Sequence, residues 1–201
     1  MSDLAKLLLL DARRAQSSNA SSVLLSPGDP LPSQVLADLR TDHAGEIGAV
    51  YIYQGVLRFA RDPLLRAFAQ HHLATEQKHL GLVTAWLPAE HHSRLLPVWR
   101  LAGFLTGALP ALFGPRAVYA TIEAVETFVD NHYNEQVQML ALQPTLGKLL
   151  HTLQLCQADE VAHRKEAAAA RGPETLNIVL RAWCAMVGAG SRVSVALIRY
   201  I

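Results

Sequence analysis

The chain is poor in everything that strands, disulfides and highly charged surfaces require. Only two of its 201 residues are cysteine. Cys156 and Cys184 form neither a disulfide framework nor a Cys-x-x-Cys metal motif, and a reducing compartment fits them best. Charged residues make up 17%, against about 25% in an ordinary domain. The formal net charge is +1, which removes the electrostatic reason to expect a nucleic-acid partner. Long apolar runs are missing as well. Leu7-Leu8-Leu9-Leu10 is closed by Asp11, too short for a signal peptide, which needs about 7–15 apolar residues after a basic segment. Alternation of apolar and polar residues is scarce, so few segments qualify as strands.

What remains is an apolar, helix-rich chain with nine histidines. Residues 1–32 are irregular, with a Ser/Asn-rich stretch followed by Pro27, Gly28, Pro30 and Pro32. One domain, 33–201, follows. Ser33 is placed to cap a helix running to Ala60, and Asp62-Pro63 to start a second one ending near Leu87. Residues 88–97 form a connection, and 101–115 a short apolar segment. Gly114-Pro115 starts a helix to about Leu142, and Pro144 one that Gly172-Pro173 ends. A last helix spans roughly Glu174 to Arg199. Two long helical hairpins joined by one long crossover predict an all-α, ferritin-like four-helix bundle, with additional short helical segments facing a membrane.

The chemistry lies in two repeated motifs. Glu76-Gln77-Lys78-His79 falls in the second long helix and Glu160-Val161-Ala162-His163 in the fourth. At spacing i, i+3 a carboxylate and an imidazole share one helix face and can reach one metal. Nine glutamates and nine histidines give roughly 0.4 such matches by chance, so one alone would mean an exposed helical pair. Here each is preceded at similar distance by a glutamate on the neighbouring helix, Glu46 by 30 residues and Glu126 by 34. Tyr53 and Tyr133 each follow their glutamate by seven residues, about two turns, hence on the same face. Glu123, one turn before Glu126, is the competing candidate. Four carboxylates and two imidazoles suit two ferrous ions. Without a cation such a cluster has no use as core packing. His43 and His72 share faces with Glu46 and Glu76, so either is a candidate hydrogen-bond donor to the metal ligands, but solvent-facing or capping roles are expected for both. His71, His91, His92 and His151 read as surface residues. Gly188-Ala189-Gly190 has no preceding strand and no third glycine, so it is no dinucleotide loop.

Residues 101–115 carry no charge and are bracketed by Arg100 and Arg116, with Trp99 beside the first. About 20 such residues are needed to span a bilayer, so insertion into one leaflet is expected, together with the apolar last helix. The competing reading packs both inside the bundle or between copies of a homo-oligomer.

The runs Leu39-Arg40-Thr41-Asp42-His43-Ala44-Gly45-Glu46, Glu76-Gln77-Lys78-His79, Ala124-Val125-Glu126 through Asn131-His132-Tyr133-Asn134, and Asp159-Glu160-Val161-Ala162-His163 resemble the demethoxyubiquinone hydroxylase family of ubiquinone biosynthesis, as does the ending Arg199-Tyr200-Ile201. The resemblance covers about 33–201. It implies a di-iron monooxygenase that hydroxylates the ring of demethoxyubiquinol with O2. Its metal ligands would be Glu46, Glu76, His79, Glu126, Glu160 and His163. His132 and Tyr133 would serve substrate contact and electron supply, with NADH as electron source. It also implies a peripheral protein of the inner membrane, on the cytoplasmic face in a bacterium or in the mitochondrion, and in eukaryotes a lipid-presenting partner protein. Gln77-Lys78 departs from the more acidic pair common in that family. Two other readings stay open: another ferritin-like oxidase or peroxidase, and a non-enzymatic, membrane-associated quinone-binding bundle.

Overall fold

The computed structural model describes residues 24–201; the Leu7–Leu10 run and the Ser/Asn-rich stretch lie outside them. Helix α1 spans Ser33–Phe59, α2 Pro63–Trp86, α3 Leu96–Ala111, α4 Pro115–Leu140, α5 Gly147–Arg171 and α6 Ile178–Ile198. Two 3-10 turns, Ala89–His91 and Pro144–Leu146, complete the helical elements, and the described residues contain no strand. The fold is an all-helical bundle in which α1–α2 and α4–α5 are the two long hairpins.

Local chemistry sets most boundaries. The Asp62 side chain accepts a hydrogen bond from the Leu65 N–H at 2.8 Å, with Pro63 as first helical residue, which satisfies one free amide of the first turn. Gly114 and Gly172 carry positive φ angles, 100° and 80°, at the start of α4 and the end of α5, conformations that favour glycine. Three boundaries differ from expectation. Ser33 is the first helical residue, and α1 has no side-chain cap. The apolar crossover is one 16-residue helix, α3, with Pro110 next to its C-terminal residue, where the lost i→i−4 hydrogen bond and the ring's clash help to end the helix. Helix α6 starts only at Ile178, because the Asn177 side chain caps it by accepting from the Leu180 N–H at 2.9 Å. Gly188-Ala189-Gly190 is mid-helix in α6, which agrees with its rejection as a nucleotide loop.

The core divides around the bundle's middle. One cluster includes Ile52, Tyr53, Val56, Leu65, Val118, Ile122 and Val125; the other includes Val35, Leu39, Val83, Trp86, Tyr133, Leu149 and Leu153. Helix α3 lies unusually close on α1. A Cβ at Gly55 would collide with the Phe104 carbonyl, one at Gly103 with the Gly48 carbonyl, and one at Gly107 with the Ile52 carbonyl. Backbone thus meets backbone along this crossing. Helix α6 packs on α4 through its other face, where the Trp183 indole N–H donates to the Thr121 hydroxyl at 2.9 Å. Arg199 ion-pairs with Asp38, and the Arg40 guanidinium donates to the Arg199 carbonyl at 3.2 Å, tying the chain's end to α1.

The close crossing predicts a position-specific glycine effect. Gly107→Val should destabilise by about 3 kcal/mol. Gly188→Ala should be neutral or stabilising by up to about 1 kcal/mol, because its Cβ meets only the end of Arg192 at 3.9 Å. Urea unfolding midpoints of the two variants would show the difference; equal losses would remove the close-contact explanation.

Candidate metal centre

Each long helix contributes from one inward face. Glu46 comes from α1, Glu76 and His79 from α2, Glu126 from α4, Glu160 and His163 from α5. All six are at most 4% exposed. Two groups form. Glu46, Glu76, His79 and Glu160 make one; Glu76, Glu126, Glu160 and His163 make the other, each group's ligand atoms lying within 4.8 Å of one another. Glu76 and Glu160 belong to both, in the position of bridging carboxylates. His79 Nδ1 lies 3.0 Å from Glu160 Oε1 and 3.8 Å from both Glu46 and Glu76. His163 Nδ1 lies 3.1 Å from Glu76 and 3.2 Å from Glu160.

Buried polar atoms are nearly always hydrogen-bonded. Glu46 Oε2, Glu76 Oε1, Glu160 Oε2 and His163 Nδ1 are buried without any such partner. All four face the shared centre, and lone pairs left open there fit a cation. Carboxylate oxygen with imidazole nitrogen suits a divalent transition-metal ion. The cluster therefore fits a metal on the protein's own geometry.

Electrostatics agree. Burial, then the neighbouring Glu160, raises Glu46 to about 7. Burial and Glu160 likewise push Glu76 and Glu126 well above the carboxylate range. Glu160 goes the other way. Burial opposes its charge, but the imidazoles of His163 and His79 hold it down to about 2. For His79, burial opposes protonation, and the hydrogen bonds and charges of Glu160, Glu46 and Asp159 overcome that to give about 9. Four carboxylates cannot all ionise here without positive charge beside them.

The tyrosines brace the glutamates, but across the bundle. The Tyr133 hydroxyl donates to Glu46, and the Tyr53 hydroxyl to Glu126 at 3.4 Å. Because α1 and α4 run antiparallel, a tyrosine two turns past one glutamate comes level with the other. Glu123 is excluded from the cluster: it pairs with Arg171 at 2.6 Å near the surface. His132, 15% exposed at its side chain, is held by Asp42 at 2.9 Å and Thr41 at 3.1 Å, with Gln136 donating to the same Asp42 oxygen at 2.6 Å. Burial opposes protonation of His132, and Asp42 more than compensates, so its pKa is raised.

Two histidines do not sit where expected. His72 is fully buried, its ring 4.1 Å from those of Phe68 and His163. His43 is buried and stacked on His92 at 4.0 Å. Burial, then the neighbouring histidines, lowers them to about 3 and about 4, so neither is a solvated cation. An inward helix face that carries a metal ligand also buries the residue one turn before it. His71 and His151 are exposed as expected, whereas His91 and His92 are half-buried.

A cleft of about 340 Å³ lies beside this cluster. Thr41, Gly45, Ala49 and Ile52 of α1 and Val125 and Val129 of α4 line its floor; Trp99, Gly103 and Thr106 of α3 and Trp183, Val187 and Val195 of α6 line its walls. Gly45 and Val125 each directly precede a ligand candidate, so only the α1–α4 seam separates cleft from cluster.

These shifts set a pH dependence for the metal-free protein. Folded Glu46, Glu76 and Glu126 keep protons that the unfolded chain releases near 4.5. Stability they confer is present below 4.5 and lost as pH rises through their folded values. His79 acts in the same direction between 6.5 and about 9. Glu160 loses its contribution only in acid, between 4.5 and about 2. Below 6.5 the buried, neutral His43 and His72 oppose this trend, because the unfolded chain takes up protons there that they refuse. The melting temperature of chelator-treated protein should therefore fall most clearly from pH 6.5 to 9, and added Fe(II) or Co(II) should restore more of it at higher pH. A metal-free melting temperature that rises over this range would contradict the assignment.

Comparison with known proteins agrees with this geometry. Residues 34–198 match the family model described as ubiquinone biosynthesis protein COQ7. The chain is 39% identical over 147 residues to 3-demethoxyubiquinol 3-hydroxylase of Rhodospirillum rubrum, covering 69% of this chain and 66% of that one. It is 35% identical over 130 residues to the mitochondrial NADPH-dependent 3-demethoxyubiquinone 3-hydroxylase of Dictyostelium discoideum, covering 62% and 59%. It is 33% identical over 153 residues to the mitochondrial 5-demethoxyubiquinone hydroxylase of Saccharomyces cerevisiae, covering 62% and 61%. The chain spans slightly under two thirds of the length of these curated relatives. The family model nevertheless covers the whole helical bundle with all six clustered residues, and the chain belongs to the COQ7 family of ubiquinone biosynthesis proteins.

Proposed function

We propose that this protein hydroxylates the ring of demethoxyubiquinol in ubiquinone biosynthesis, as a di-iron monooxygenase supplied with electrons by a reduced nicotinamide. The observation that carries the reading is the buried cluster of four carboxylates and two imidazoles with four unpartnered atoms turned inward. One iron would be held by Glu46, Glu76, His79 and Glu160, the other by Glu76, Glu126, Glu160 and His163. When bound, the iron pair supplies O2 activation. One oxygen atom replaces a ring hydrogen as hydroxyl, and the other leaves as water with two electrons and two protons from the reductant.

The chain's own residues do the rest. Tyr133 and Tyr53 fix the carboxylates of Glu46 and Glu126 by hydrogen bonds, which preorganises the site. Asp42 and Gln136 hold His132 against Thr41, itself in the floor of the cleft. The contact of His132 with Thr41 and of Tyr133 with Glu46 supports roles for both in substrate contact and electron supply. The cleft walls are almost wholly apolar, as a quinol with an isoprenoid tail requires.

The same walls expose apolar faces outward. Leu101, Leu105, Leu109, Leu112 and Phe113 on and just after α3, and Ile178, Val179, Met186, Val193 and Leu197 on α6, are exposed. By length and composition α6 is long and apolar enough to cross a membrane. Its Trp183 bond to α4 and its exposed Arg181 and Arg192 favour lying in one leaflet instead. This supports a peripheral protein on the inner-membrane face, drawing its substrate sideways into the cleft.

Two outcomes test this. Purified protein with two iron ions per chain should hydroxylate demethoxyubiquinol in an O2- and nicotinamide-dependent assay. Glu160→Ala should lose iron and more than the roughly 10–100-fold that an outer partner of a metal ligand is worth. Full iron without turnover would favour another oxidase. Gly190→Leu adds bulk at the cleft's lining, starting from a Cβ with nothing within 4 Å of it. It should raise KM for a long-tailed substrate about tenfold while iron content and turnover of a short-tailed analogue stay unchanged. Equal effects on both substrates would argue against the cleft as the tail's path.

A further inference from the structure

The two metal positions have different surroundings. His79 Nδ1 faces the cluster, and its other nitrogen, Nε2, lies 3.0 Å from the Asp159 carboxylate. Asp159 is 41% exposed at its side chain and also lies 3.9 Å from Lys78. His163 Nδ1 faces the cluster in the same way, but among the described residues its Nε2 makes no hydrogen bond to a carboxylate. Its outer neighbour is the edge-on ring of His72 at 4.1 Å. The nearby carboxylate, Glu166, approaches His72 at 3.2 Å instead. The sequence carries the same asymmetry. Asp159 directly precedes Glu160, which places it across from His79. The residue that precedes Glu76 is Thr75, an uncharged side chain with no hydrogen bond to His163 among the described residues.

A carboxylate on the far nitrogen of a ligating imidazole fixes its tautomer and orientation and makes the inward nitrogen a stronger donor, an effect worth about 10–100-fold in metal affinity. We infer that the two positions are inequivalent, that Asp159 is the positioning residue responsible, and that the position built on Glu46 and His79 fills first and holds its ion more tightly. This rests on the two-metal reading above and adds an order of filling to it. Sequential filling alone would not demonstrate the point, because a first ion repels a second through the shared Glu76 and Glu160. The informative quantity is which position fills.

The test uses full-length protein stripped with a chelator and titrated anaerobically with Co(II). Wild type should take two ions in two steps, the first about 10–100-fold tighter. A crystal given one equivalent should show anomalous scattering between Glu46 and His79. Asp159→Asn keeps the shape and removes the charge; it should weaken the first step about 10–100-fold and bring the two steps together, with an unchanged helical circular-dichroism spectrum. Glu126→Ala should remove the second step only, which identifies the steps even if Asp159→Asn folds poorly. A first ion beside His163, equal occupancy of both positions, or an unchanged first step in folded Asp159→Asn overturns the ordering and leaves the two-metal reading standing. Binding of no ion, or of one ion only, overturns both.

Discussion

Four carboxylates facing one another inside a helical bundle are the constraint that organises this protein. Burial and mutual repulsion push three of them towards the protonated form, and only Glu160, between two imidazoles, is held ionised. An arrangement so costly without a cation is kept in place by rigid surroundings. The ligands sit on long helices and not on loops. Each glutamate from the first helix of a hairpin is braced by the tyrosine of the opposite hairpin. Apolar clusters close the bundle above and below. The helices supply the stability that the site gives up.

The same packing creates the route to the site. Glycines let α3 lie backbone-to-backbone on α1, and α6 rests on α4 through Trp183, Val187 and their neighbours. Neither helix covers the α1–α4 seam, so a cleft remains over the two residues that precede Glu46 and Glu126. The low charge content reflects this. Helices α3 and α6 carry Arg100, Arg181 and Arg192 and no acidic residue, and their outward faces are apolar because they are not built to meet water alone.

The six clustered residues were legible in the sequence because helical spacing is a strict ruler. A Glu-x-x-His pair can only share a face, and two hairpins of similar length bring their glutamates to matching heights. Spacing also separated Glu126 from Glu123, which the Arg171 ion pair explains. Relations between helices were not legible. The tyrosines share their own glutamate's face, yet which carboxylate each one meets depends on the antiparallel order of α1 and α4. His72 looked like a solvent-facing residue because one histidine among polar neighbours gives no sign of depth. Its burial follows from lying one turn before Glu76 on a face closed by Phe68 and His163. The crossover's helical character was legible, but not its contact: the glycines permit the close backbone approach of α3 to α1, and Pro110 falls next to the helix end, where it helps to terminate α3.

The internal duplication brings four carboxylates and two imidazoles together; the places where it is broken give that cluster two different ends. Asp42 lies one turn before Glu46, and the corresponding residue before Glu126 is Ile122. His132 directly precedes Tyr133, and the corresponding residue before Tyr53 is Ile52. The structure joins these partners across the bundle: Asp42 hydrogen-bonds His132 at one end of the cluster, and Ile52 packs in one apolar cluster with Ile122 at the other. Antiparallel pairing makes the two contacts equivalent in position and opposite in chemistry. Asp159 stands at the polar end, on the His79 side, whereas His163 at the apolar end meets the edge-on ring of His72, with Phe68 tilted against the latter. A symmetric set of carboxylates and imidazoles thus lies within an asymmetric surround, and its two ends differ in their neighbours. The Asp42–His132 end is polar and hydrogen-bonded, while the Ile52–Ile122 end, which shares Ile52 with the cleft, is apolar.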